Sequence, residues 1–286
     1  MISLFLRWTI FAISASGVFA STANTFEPLR TRPEFAAKAT ERKSTLGRAA
    51  QTNGDTYVQY GAFFAHGMEG FVRWRTVIGI MNPSDRACNV FVEFLDSRGN
   101  PVMAPFHDGT GRYSGDYSGA AATIDPGVNV SPSLMDSRLP AQAAYVRVTS
   151  DAGVKVNVDI SIVRINGGAT HGFVYAAGEA NSEVREINVA SSPGQNTTLG
   201  LLNPGSEPVK VVATARTWEG REACTVEFSI GPGQSIWSSV SLLVHCIRPN
   251  TTTHTLRLST QDGLLVVAGY YEQAGFATAP IHTIPQ

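Results

Sequence analysis

From Val154 the chain alternates: Val154, Val156, Val158, Ile160 and Ile162 are apolar, with Lys155, Asn157, Asp159 and Ser161 between them. A period of two marks a half-buried strand, and a slip of one residue would turn all five apolar groups to water. Val146 and Val148 obey the same rule just before it, with Asp151-Ala152-Gly153 in between. That spacing predicts a three-residue hairpin with Gly153 at the left-handed position. Arg147 then lies diagonal to Asp159, an expected cross-strand ion pair. Later, Leu256 and Leu258, a loop at Gln261-Asp262-Gly263, and Leu264, Val266, Ala268 and Tyr270 repeat the pattern. There the intervening Leu265, Val267 and Tyr271 are apolar too, so the first unit or another molecule is expected to cover that side.

The repetition extends upstream. Thr76-Val77-Ile78-Gly79-Ile80-Met81-Asn82-Pro83 returns 121 positions later as Thr197-Thr198-Leu199-Gly200-Leu201-Leu202-Asn203-Pro204, and the register holds without a gap through Gly99 against Gly220. A fixed-period match outranks local propensity as a guide to architecture. Asn82-Pro83-Ser84-Asp85 is a turn, since Pro presets φ and Asn side chains bond nearby backbone. The next strand is expected to face Val90, Val92 and Phe94 inward and Asn89, Glu93 and Leu95 outward. The second unit has the smaller Val211, Ala213 and Ala215 inside, with Trp218 and Trp237 as candidates to fill the space. Ile124-Asp125-Pro126-Gly127 matches Ile230-Gly231-Pro232-Gly233 at an offset of 106, so the first unit carries 15 additional residues, placed between His107 and Ala122.

The N-terminus reads differently. Arg7 precedes an apolar run from Trp8 to Ala20 with small residues up to Ala23, the pattern of a secretory signal peptide over 1–23 and too short for a stable span. Residues 24–55 are rich in Ala, Thr, Arg, Lys and Glu with little apolar bulk, which predicts a flexible tether. Units over 56–166 and 167–286 follow. A net charge of −1 gives no electrostatic footprint for nucleic acid. The charged fraction of 16% and the 27 glycines and 15 prolines suit short strands with tight turns.

About seven short alternating strands per unit predict an all-β chain of two tandem immunoglobulin-like antiparallel β-sandwiches. The order of strand, Asn-Pro turn, strand, Gly turn and Pro-Gly step, then Val146-Arg147-Val148-Thr149-Ser150-Asp151-Ala152-Gly153-Val154 and an alternating strand, resembles tandem immunoglobulin-like repeats of secreted bacterial surface proteins of acidobacterial type. The resemblance covers Phe63 to Val163 and, more loosely, Val184 to Tyr271. It implies a noncatalytic surface or adhesion module, secreted, periplasmic or at the cell surface, with a protein or glycan as partner. It brings no catalytic residues.

Three cysteines in an exported chain predict one disulfide and one leftover thiol. Cys224 and Cys246 share a unit, and closing that loop of about 20 residues contributes ~3 kcal/mol in the chain-entropy model; Cys88 is expected buried and inert. The six histidines show no metal-ligand spacing, and neither a nucleophile elbow nor a phosphate loop is present. No metal, cofactor or catalytic residue is therefore expected. The insertion offers the remaining chemistry. Asp108, Arg112, Tyr113, Asp116 and Tyr117 put hydrogen-bonding and aromatic groups on a Gly-rich loop, where a sugar ring could stack. The first expectation is an exported structural or adhesion module, the second a carbohydrate-binding protein using that loop, and the third an extracellular hydrolase.

Overall fold

The structure, a computed structural model, describes residues 26–28, 56–69, 72–108, 114–134, 142–164, 171–178, 184–189, 195–247, 254–260, 263, 265–272, 275–278 and 281–284. The signal segment and most of the expected tether lie outside them. Almost every element is a strand. The first unit holds β1 (Glu27–Pro28), β2 (Tyr57–Glu69), β3 (Val72–Met81), β4 (Cys88–Leu95), β5 (Ala104–His107), β6 (Ser114–Tyr117), β7 (Gly119–Ile124), β8 (Asn129–Val130), β9 (Ser133–Leu134), β10 (Gln142–Ser150), β11 (Lys155–Arg164) and β12 (His171–Ala176). The second holds β13 (Val184–Val189), β14 (Gln195–Leu202), β15 (Val209–Arg216), β16 (Glu222–Ile230), β17 (Ser235–Ser239), the short helix α1 (Val240–Leu243), β18 (His254–Thr260), β19 (Leu265–Glu272), β20 (Gly275–Thr278) and β21 (Ile281–Ile284).

All the pairings are antiparallel, and they form four sheets. In sheet 1, β3 is flanked by β11 and then β12 on one edge, and by β8, β9 and the end of β2 on the other, with β5 and β6 beyond β9. Sheet 2 runs β1-β7-β4-β10-β2. β2 serves both: up to His66 it pairs with β10, and from Gly67 to Glu69 it pairs with β3. Sheet 3 runs β17-β14-β19-β20 and sheet 4 runs β16-β15-β18-β13-β21. Sheets 1 and 2 enclose one core, sheets 3 and 4 another.

The duplication is exact at the level of register. Arg147 stands opposite Tyr60 on β2 and Glu93 on β4, while Arg257 stands opposite Glu186 on β13 and Thr214 on β15. Gly178 exchanges two backbone hydrogen bonds with Tyr60, where β21 pairs in the second unit through His282 and Glu186. β12 pairs with β11 of the first unit and also lies against β20 of the second.

Two expectations about connectivity are corrected. β10 and β11 are not a hairpin: β10 lies in sheet 2 between β4 and β2, and β11 lies in sheet 1 between β3 and β12. Two strands facing each other across a core alternate in the same way as two strands side by side, so the apolar pattern could not distinguish them. β18 and β19 cross between sheets likewise. In an immunoglobulin sandwich strands C, F and G share a sheet. Here β10 lies between β4 and β2, and the strand that follows it passes to the opposite sheet.

The motif that revealed the duplication is a structural staple. Asn82 and Asn203 are fully buried at the ends of β3 and β14. The Asn82 amide donates to the carbonyls of Arg86 at 2.8 Å and Ile124 at 2.9 Å, and its oxygen accepts from the Ser84 N–H at 3.0 Å. Asn203 donates to Glu207 and Ile230 at 2.7 and 3.0 Å and accepts from Gly205 at 2.9 Å. Asn82 ties its own turn to the end of β7 and Asn203 ties its own to the end of β16, using groups a buried amide must satisfy. Glycines at φ of +84° and +80° (Gly99, Gly220) and +70° and +64° (Gly127, Gly233) hold the matching turns, where side chains with Cβ are strained.

The two units are packed against each other. The row of sheet 2 expected to face water is buried at Glu93 and Leu95, along with Phe91, Tyr145 and Thr149; only Asn89 is exposed. β2 lies against β14, β17 and β19, and β10 against β17. Leu202 and Trp237 of the second unit accordingly join the first unit's apolar cluster. Ser235 donates its N–H to Ser97 across the junction at 2.9 Å. A Cβ on Gly99 would come within 2.9 Å of the Gly233 carbonyl, so two turn glycines meet there.

The remaining packing differs from expectation in three places. Phe26, assigned to the tether, is fully buried, with Glu27 and Pro28 paired to Ala121 and Ala120 of β7. The start of that segment is therefore fastened to the first unit, because one aromatic ring buries enough area to hold it. Trp218 is 73% exposed and fills nothing. The second core instead takes in Val240, Val244 and Ile247 from the α1 segment, in the same apolar cluster as Ala213 and Ala215.

Candidate functional site

The register that matches β16 to β7 places the 15 additional residues between Asn100 and Asp116, upstream of the stretch expected between His107 and Ala122. They supply β5 and the start of β6, a hairpin at the edge of sheet 1. Phe106 anchors it: the ring is fully buried and meets Phe26, Phe94 and Tyr117 at centroid distances of 5.9, 6.2 and 6.4 Å. Tyr117, proposed as a sugar platform, is half-buried with its ring edge-on to Phe106, and so serves the core. Asp108 is buried where the chain leaves β5 for the loop, whereas Asp116 is exposed. Arg112 and Tyr113 lie outside the described residues. Of the three described candidates, Asp108 is buried, Tyr117 half-buried and Asp116 exposed.

Leu265, Val267 and Tyr271 fall on β19, and their side chains lie outside the described residues. The register sets Leu265 opposite Leu202 and Val267 opposite Gly200, itself opposite Trp237. Leu202 and Trp237 pack on the first unit, so this stretch of sheet 3 runs along the junction between units.

That junction holds the one polar constellation which sequence reasoning missed. Arg147 donates to both carboxylate oxygens of Glu93, Nε at 2.7 Å and a terminal nitrogen at 2.8 Å. The two side chains are only 16% and 8% exposed. Burial disfavours the guanidinium charge, but Glu93, by hydrogen bond and charge, more than offsets this and raises its pKa. Tyr145 lies beside the pair with its phenol pushed up, mainly by burial and only partly countered by Arg147. Its ring meets Tyr60 at 6.5 Å, and a Cβ built on Gly99 would lie 3.2 Å from its hydroxyl. A bidentate pair of this kind fixes geometry; removing one partner alone strands a buried charge. The expected partner, Asp159, is exposed in another sheet. Once β4 is placed beside β10, Glu93 and Arg147 become direct neighbours, the signal that a wrong hairpin concealed.

Cys224 and Cys246 form the expected disulfide, with Cα atoms 6.2 Å apart. It fastens the segment after α1 to β16 at the position facing Ala215. Cys88 is a buried free thiol whose pKa is pushed up to about 11, chiefly by burial and further by Asp151, with Arg86 opposing. Among the described residues no three His, Cys, Asp or Glu side chains converge as metal ligands, and no helix is long and apolar enough to cross a membrane.

No family model matches the chain, and no curated protein does. Similar solved structures include an exo-chitosanase of Amycolatopsis orientalis in complex with PNP-β-D-glucosamine, at 14% identity and a TM-score of 0.15, covering 73% of this chain and 25% of that one. A putative β-galactosidase from Bacteroides fragilis shares 11% identity at a TM-score of 0.12, over 75% of this chain and 32% of its own. A β-glucuronidase of glycoside hydrolase family 2 shares 7% at a TM-score of 0.12, over 91% and 29%. The chain spans about a quarter to a third of these enzymes, and likeness at this level carries no functional argument.

Proposed function

We propose that the protein is an exported, noncatalytic structural or adhesion module in which two β-sandwiches act as one stiff body. The observation that supports this is where the duplicated residues are used. Asn82 and Asn203 and the four turn glycines are occupied in holding turns, and Arg147, repeated as Arg257, is paired to Glu93 on the neighbouring strand of its own sheet. The chemistry-bearing groups kept by the duplication thus bond backbone and partner strands. Export follows from the signal-like leader, and the disulfide suits an oxidising compartment.

The test is a screen of the purified chain for turnover of ester, glycoside and peptide substrates. The expected result is no turnover. Hydrolysis abolished by substituting a single histidine, such as His107→Ala at the end of β5, would overturn the reading. Carbohydrate binding is the second reading, favoured by the hairpin being present in only one of two otherwise matching units. A glycan array that responds to the wild type and is silenced by Tyr113→Ala supports it, and a blank array removes it.

A further inference from the structure

The duplication supplies a control for each sheet edge. In the first unit β7, the outer strand of sheet 2, receives β1, and Pro28 in that added strand has no N–H to offer a further one. The inner row of β7 is then closed: Ala120 is fully buried and Ala122 is 8% exposed. The matching strand of the second unit is β16, with Val226 and Phe228 at those two positions, as the pairing of Ala213 with Val226 and of Val92 with Ala120 shows. Among the described residues β16 pairs with β15 alone. It is nine residues long, and Cys224, Val226 and Phe228 on its inner row are only half-buried against the second core. Among the described residues the other sheet ends are shorter or covered: β6, β20 and β21 are four residues each, β17 five and β12 six, and β2 lies against the second unit.

We propose that β16 pairs edge to edge with β16 of a second copy of this chain, antiparallel about a two-fold axis at Val226. An unpaired row of backbone donors and acceptors is a template for another strand. The register is self-complementary. Val226 meets Val226, and Cys224 meets Phe228, so the inner apolar row continues from one copy into the next. Thr225 meets Glu227 and Ala223 meets Ser229, so no like charges are opposed. Glu227 is held by Lys210 on its own sheet at 2.7 Å and does not repel the incoming strand. The axis falls on the positions that β1 fills in the first unit, since Glu27 and Pro28 face Ala121 and Ala120, the counterparts of Glu227 and Val226. Joining two five-stranded sheets in this way gives one sheet continuous across the dimer.

The experiment is sedimentation equilibrium of the intact mature chain over a concentration series. A monomer–dimer equilibrium is expected. Thr225→Glu sets a carboxylate against Glu227 twice by symmetry and should weaken the dimer about tenfold. Adding Glu227→Lys sets opposite charges in both places and should restore it, which separates lost pairing from lost folding. A chain that stays monomeric throughout, a dimer indifferent to Thr225→Glu, or a double variant as weak as the single one overturns the proposal.

Discussion

The two units share one strand plan and finish it with different parts. The first closes its sheet edge with β1 and its open flank with the β5–β6 hairpin, both gathered by Phe26 and Phe106. The second has neither in its described residues; its core, thinned to Ala213 and Ala215, takes in Val240, Val244 and Ile247 of the α1 segment, which a disulfide fastens to β16. The outer row of sheet 2 carries the Glu93–Arg147 pair, and the same register place in the second unit holds Thr214, hydrogen-bonded to Thr225 at 3.0 Å. Duplication thus preserved what forms turns and strand register, and left each unit to complete its own core and surface.

The largest break in that comparison is expected at Phe26. Phe26→Ala removes a fully buried ring that touches Phe106 and should cost about 4 kcal/mol, in the range of buried Phe truncations. Chemical denaturation measures it. If the strap were a loosely attached tether, the loss would be a few tenths of that and the proposed closure of the first unit would fail.

Next comes the junction. Glu93→Ala leaves the Arg147 guanidinium buried and unpaired, for an expected loss of about 3 kcal/mol. Thr214→Ala at the matching place should change stability by about 0.5 kcal/mol or less, since Thr214 bonds only at an exposed edge. Equal losses in the two variants would show that Glu93 and Thr214 are equivalent and that the junction has no special polar centre.

How far these differences were legible depends on what each residue signals locally. Alternation at Val154 to Ile162 located β11 and its buried face, and the Asn-Pro repeat located the duplicated strands, because both are encoded within a few positions. Neither carries information about which strand lies alongside. That left β10 and β11 assigned as a hairpin, and with it Arg147 assigned to Asp159. Phe26 was hidden for a related reason: one aromatic residue in a polar stretch contributes little to any window average, yet a single ring in a cavity between Phe106 and β7 is enough to anchor the chain. Cys224 and Cys246 were legible because an odd number of cysteines and one shared unit left few pairings.

The smallest expected effect concerns Cys88, which has no thiol counterpart in the second unit, where Val209 stands at the same strand position. Its pKa rises from 9.0 to about 11 on folding because burial disfavours the thiolate and Asp151 adds to this. The folded state therefore favours the protonated form. This contribution is fully present below pH 9 and is lost as pH rises toward 11, where the unfolded chain ionises and the native thiol still resists. Cys88→Ala removes that dependence and leaves the valine of the second unit as a natural comparison. Melting temperatures measured below pH 9 and near pH 11 should show the wild type falling more than the variant, narrowing the gap that the lost side-chain packing opens at the lower pH. A gap that stays constant across this window would mean that the thiol titrates as it does in the unfolded chain, and that the pocket around Cys88 is open to water.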